Sequence, residues 1–232
     1  MPGLPAMIEA LMAPEAYPEV TRRVELAQTQ MSFVFLTDEY VYKVKKPVDL
    51  GYLDYTTLEK RHFYCQKETE LNRRLCPEAY LGVVPVTRDK DSFSIGGEGE
   101  ISEYAVKMRR LPREAMLDVR LVENRVSPEM LAGVAQRLVA FHQQAETSAD
   151  ISAFGGLDMI ARNTGENFAQ TESCIGSTIS RDRFARIKTY NDSFLARNAP
   201  LFHRRVQEGR IRDCHGDLHA AHICLTDTIC IY

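Results

Sequence analysis

The feature that most constrains this chain lies near its end, in Cys214-His215-Gly216-Asp217-Leu218-His219-Ala220-Ala221-His222-Ile223-Cys224-Leu225. A histidine stands two residues before Asp217, and the ligand-type residue His222 stands five after it. That spacing asks for a tight loop opening into a short strand. The loop aims one carboxylate outward, and the chain turns back to set the later side chain beside it. Gly216 supplies a backbone shape that a side chain resists. His215 is read as bracing the loop by hydrogen bonds and His219 as packing within it.

The rest of the chain must supply a scaffold for that loop. Residues 4–12 read as a short amphipathic helix ended by Pro14 and Pro18. Alternation then predicts strands over 24–27, 33–36 and 40–45, with a polar turn at Gln28-Thr29-Gln30-Met31-Ser32. A helix is expected over 56–75, with Thr56 and Glu59 as a capping box and Pro77 as its stop. Strands over 81–87 and 101–108 flank a hairpin tip at Gly96-Gly97-Glu98-Gly99. Beyond Pro112 the pattern turns helical: 128–146 carries a clear apolar stripe, 151–166 is broken at Gly155-Gly156, and 181–198 is restarted by Pro200 and ended by Gly209. Residues 223–225 and 228–232 read as two short strands. The order is a sheet-rich first half, a hinge near 108–112 and a helical second half.

Composition narrows the class. Apolar residues are 44% and charged residues 26% of 232, with 29 basic against 32 acidic side chains. A net charge of -3 gives no general pull toward nucleic acid or an anionic membrane, although Lys43-Lys45-Lys46 and Lys107-Arg109-Arg110 form local basic clusters. No apolar stretch approaches the ~18 residues that span a bilayer. None of the six cysteines has CxxC spacing, so reduced thiols and a cytoplasmic location are expected.

A carboxylate followed at plus five by a metal-ligand residue is the spacing of a phosphoryl-transfer loop, where asparagine is usual at the later position. Asp217 would then orient an acceptor hydroxyl, and His222 would offer an imidazole to a metal, though imidazole suits softer metals than magnesium. Such chemistry needs a cation at the phosphates, held by a carboxylate on a packed helix. Lys43 shares a strand face with Val41, presenting the valine to a base and the lysine to phosphates. A strand lysine taken alone is more often a solvated edge residue. Glu68 lies on a helical stripe with Leu58, Cys65 and Leu75, where an unpaired carboxylate would be costly. Surface pairing with Arg61, Lys67 or Arg74 is the alternative. In the turn before the second strand, backbone amides with the Thr29 and Ser32 hydroxyls would meet phosphate oxygens. The GxxxxGK[ST] pattern is absent.

On these residues, His215-Gly216-Asp217-Leu218-His219 resembles the HGDLH catalytic loop of aminoglycoside phosphotransferase-like kinases. Val41-Tyr42-Lys43-Val44 resembles their nucleotide-binding strand, and Glu68 their paired helix glutamate. Residues 103–108 look like the hinge strand on which adenine leans, which implies Glu103 and Met108 as further nucleotide contacts. The closest likeness is to bacterial domains often joined to a C-terminal P-loop ATPase domain. The resemblance implies an α+β, bilobal, protein-kinase-like fold. A small antiparallel-sheet lobe with one main helix would occupy residues 1–110, and a truncated, mostly helical lobe 111–232. It also implies ATP and Mg2+ as cofactors and a small hydroxyl-bearing substrate. The family's second metal-binding aspartate would follow directly after Tyr232. A fragment of a longer protein, impaired or inactive in this form, is therefore expected.

Two other classes stay open. One is a non-enzymatic nucleotide-binding or regulatory module. The other is a zinc site from His215, Asp217, His219 and His222 with Cys214 or Cys224 in support, a spacing that matches no standard zinc motif.

Overall fold

The computed structural model describes residues 5–232. The chain packs as two compact units: one runs to Arg137 and takes up again at Asp217–Tyr232, and the other is Leu138–Gly216. The architecture is α+β.

Among the described residues of the first unit, six strands form one antiparallel sheet in the order β1-β2-β3-β6-β4-β5. They are β1 (Glu25–Gln28), β2 (Ser32–Leu36), β3 (Tyr40–Lys45), β4 (Tyr80–Asp89), β5 (Ser92–Ile95) and β6 (Glu100–Arg109). The strand alternation seen in the sequence has a direct physical use. Phe35, Tyr42, Val44 and Ala105 are buried against Ile8, Leu11, Ala16 and Tyr17, so the N-terminal segment covers one sheet face. That segment includes α1 (Ala6–Ala10), shorter than the expected 4–12, of which Leu4 lies outside the described residues.

Two local expectations change. Helix α2 (Leu58–Arg73) is capped by Thr57, whose side chain accepts from the Lys60 amide at 3.3 Å. Thr56 instead donates to Asp54 Oδ1 at 2.6 Å, so the expected capping box does not form. The Gly96–Gly99 stretch is not a hairpin tip. Because β4 lies between β5 and β6, these residues must carry the chain past the end of β4, and the Gly96 amide bonds the Pro85 carbonyl at 2.8 Å. Gly99, at φ +115°, leaves no room for a Cβ beside the Arg88 carbonyl.

The unit is completed by α3 (Leu117–Val122), the start of α4 (Pro128–Gln144), and the hairpin of β7 (Ile223–Leu225) and β8 (Ile229–Ile231). The hairpin is fastened to the segment just after α2. The Ile231 amide reaches the Leu75 carbonyl at 3.4 Å, and Cys76 and Cys230 form a disulfide with Cα atoms 4.6 Å apart. This corrects the expectation of six reduced thiols. The partners are 154 residues apart, and no local spacing could reveal them. Cys65, Cys174, Cys214 and Cys224 are free thiols.

The second unit holds α5 (Ala149–Phe154), α6 (Leu157–Thr171) and α7 (Arg181–Gln207). Gly155 and Gly156 separate α5 from α6, and the Ile211 side chain packs so closely on Gly155 that a Cβ would collide with it. Pro200 does not restart a helix. It lies inside α7, which forgoes one backbone hydrogen bond there. Phe168 and Phe184 meet edge-on with centroids 5.6 Å apart, joining α6 to α7. No helix among the described residues is long and apolar enough to cross a membrane.

Candidate functional site

The register of the sheet builds the site. Val34 pairs with Lys43, Leu36 with Val41, Val41 with Met108, and Met108 with Tyr80. Directly paired residues share a sheet face. Val34, Leu36, Val41, Lys43 and Met108 therefore stand together on the face turned away from the N-terminal segment.

On that face, the two lysines of β3 divide one carboxylate. Lys43 Nζ lies 2.8 Å from Glu68 Oε1, and Lys45 Nζ lies 2.6 Å from Glu68 Oε2. The Lys45 side chain is only 4% exposed, against 31% for Lys43. Burial alone would push the Glu68 carboxyl up, but the charges of Lys43 and Lys45 outweigh it and hold the group below the usual carboxylate range. For Lys45, burial opposes the ammonium form, and the Glu68 charge with its hydrogen bond overcomes it, raising the lysine. Both groups are held ionised. Lys45 holds the carboxylate from the buried side, and Lys43 is the more accessible of its two partners.

Lys43 forms part of the wall of a cavity of about 760 Å³. Val34, Leu36, Val41 and Met108 give it an apolar side, while Thr29, Asp38 and Arg109 are among its polar groups, with Tyr80 and Tyr232 also lining it. The volume lies within the roughly 300–1,000 Å³ of small-molecule sites.

The other sequence candidates fall in different places. Thr29 lines the cavity, but its hydroxyl already accepts from the Ser32 amide at 3.0 Å and the Met31 amide at 3.3 Å. The hydroxyl thus shapes the turn. Ser32 is buried at 1% exposure and is not among the lining residues. Met108 is in the wall. The Glu103 side chain is not: it pairs with Arg61 Nε at 2.6 Å, and Arg61 also donates to the Tyr55 carbonyl at 2.9 Å. Glu103 and Arg61 tie β6 to α2, and burial raises the Glu103 carboxyl despite that partner. Of the stripe read from the sequence, Cys65 and Leu75 are buried and Glu68 is nearly so, but the buried α2 residues also include the polar Arg61 and Thr69.

Asp217 opens the loop that follows Gly216, whose φ of +83° is the left-handed shape the spacing required. The Asp217 carboxylate is 78% exposed. Its Oδ2 lies 3.7 Å from His222 Nδ1 and 4.0 Å from His219 Nε2. His219 does more than pack: its Nδ1 accepts from the Ala221 amide at 3.3 Å and caps the single turn Ala220–His222. His222 connects the loop to the cavity wall. The Tyr232 amide donates to the His222 carbonyl at 3.0 Å, and the two rings lie 5.6 Å apart.

Lys45 and Tyr232 escaped the sequence reading. Lys45 was accessible in principle, because it stands two residues from Lys43 on an alternating strand and must share its face. Tyr232 carried no signal, since its place depends on the β7–β8 hairpin.

No family model matches the chain. It is similar to an uncharacterized protein of Mycobacterium tuberculosis (strain H37Rv), Rv2004c, with 32% identity over 204 residues, or 88% of this chain and 39% of that protein. A protein of Mycobacterium bovis, Mb2027c, likewise uncharacterized, matches with the same 32% identity and the same 88% and 39% coverage. The chain spans about 39% of the length of these curated relatives.

Proposed function

We propose that this chain carries a nucleotide-binding, ATP-dependent phosphotransferase domain of the aminoglycoside phosphotransferase-like kind, with the sheet unit as a kinase-type lobe of a bilobal fold. The observation that supports this most is the division of Glu68 between Lys43 and Lys45, which leaves Lys43 in the wall of an apolar-sided cavity beside Val41 and Met108. The cavity suits a nucleotide: Val34, Val41 and Met108 would pack on the base, and Lys43 would neutralise phosphate charge. Asp217 would accept a hydrogen bond from the acceptor hydroxyl and align it for transfer, a positioning role rather than a covalent one.

Magnesium fits less well. Oxygen ligands suit that ion, and the donors around Asp217 include two imidazoles. No step is therefore assigned to it here. A small hydroxyl-bearing molecule is the proposed acceptor. The greater length of the mycobacterial relatives accommodates a further domain, for which a P-loop ATPase is the proposed candidate.

Equilibrium binding tests the site. The chain is expected to bind ATP, and Lys43→Ala to weaken binding at least tenfold while the circular dichroism spectrum is kept. Unchanged affinity would remove Lys43 from the site. In the native protein, Asp217→Asn is expected to leave ATP binding intact and to lower phosphotransfer by two or more orders of magnitude. Binding without turnover in the unsubstituted protein would select the non-enzymatic reading.

A further inference from the structure

We propose that Asp217, His219 and His222 form a binding site for a divalent transition cation of the zinc class. One donor atom from each of the three lies within 4.8 Å of those of the other two. Metal–ligand bonds of 2.0–2.1 Å set tetrahedral donors roughly 3.4 Å apart. Closing the set therefore takes shifts of about an ångström, within reach of side-chain rotation at an exposed loop. Asp217 is 78% and His219 50% exposed, so an ion has direct access.

The distances single out one ligand atom on His222. Its Nδ1 lies 3.7 Å from Asp217 Oδ2 and 3.0 Å from the Asp217 carbonyl oxygen. Binding an ion through Nδ1 exchanges that carbonyl contact for the metal bond. For His219, coordination through Nε2 moves the ring proton to Nδ1 and gives up the 3.3 Å bond from the Ala221 amide. That bond is long, and an ion contact is the stronger partner. Two imidazoles with one carboxylate favour zinc, cobalt or nickel over magnesium and calcium. Three protein ligands leave a fourth position for water or a phosphate oxygen.

The site needs no nucleotide, but it takes the carboxylate that the phosphotransferase reading aims at an acceptor hydroxyl. A bound ion would compete with that role, so zinc binding is read directly, without turnover. The test is titration of the whole metal-free chain with zinc against a chromophoric chelator, repeated with cobalt for its visible spectrum. One ion per chain is expected, unmoved by millimolar magnesium. His219→Ala and His222→Ala should each weaken zinc binding at least tenfold, and His219→Gln serves if the alanine variant does not fold. Cys214→Ala should bind as the parent does, and the cobalt spectrum should lack a thiolate band. Equal affinity in the histidine variants, loss in Cys214→Ala, or ready displacement by magnesium would each overturn the proposal.

Discussion

Replacing Glu68 with alanine is expected to destabilise the chain by about 3–5 kcal/mol, the usual effect of removing one partner from a buried ion pair. The figure rests on Lys45, whose side chain is 4% exposed and would be left as an uncompensated buried ammonium. Lys43 contributes less, being partly solvated. Urea unfolding measures the loss. Glu68→Gln should fall between the parent and the alanine variant, because the amide keeps one acceptor oxygen but no charge. The pH dependence has a fixed sign. The folded Glu68 carboxyl is held below its ordinary value of 4.5. Its contribution is therefore present above that value and drains away as pH falls through the lower folded one. Glu68→Gln should lose that acid limb. Equal urea midpoints for parent and Glu68→Ala would mean that the two lysines do not depend on the carboxylate.

The second large effect is expected from the cross-link between the segment just after α2 and the β7–β8 hairpin. Cys76 and Cys230 are 154 residues apart, and closing so long a loop restricts the unfolded chain by up to about 5 kcal/mol in the loop-entropy treatment. Cys230→Ser should lower stability by about 2–5 kcal/mol. Reductant should depress the melting temperature of the parent and leave that of Cys230→Ser unchanged. Because Tyr232 follows the bonded strand and lines the cavity, the variant should also bind nucleotide more weakly. An identical melting temperature with and without reductant would show that the bond contributes nothing in solution.

Much of the sheet unit was legible because local chemistry dictates it. The Tyr40–Lys45 alternation fixed a strand that the structure places at the same bounds, and the same period put Val41 and Lys43 on one face. The cost of burying the Glu68 carboxylate called for a cation, with Lys43 the candidate and Arg61, Lys67 or Arg74 the alternative; packing brings Lys43 to it. What escaped was non-local. The order β1-β2-β3-β6-β4-β5 places β4 between β5 and β6, which no turn signal encodes, and it changes the Gly96–Gly99 stretch from a hairpin tip into a passage past a strand end. The disulfide and the position of Tyr232 depend on the same kind of long-range pairing. Glu103 shows a different limit. Its place on the strand was read correctly from the pattern, but its side chain answers Arg61 rather than the cavity, and only packing decides that. In the late loop the spacing gave the carboxylate its histidines, but the direction of each ring follows from bonds to Ala221 and to the Asp217 carbonyl.

The cavity can be tested with an adenosine analogue that carries a sulfonyl fluoride at its 5′ end. A lysine amine placed at the phosphates attacks the sulfur, fluoride leaves, and a stable sulfonamide marks the residue for peptide mapping. Modification concentrated at Lys43, slowed by ATP and absent in Lys43→Ala, is the outcome that a nucleotide site on this face requires. Label scattered over surface lysines, or label at Lys43 that ATP does not slow, would contradict it.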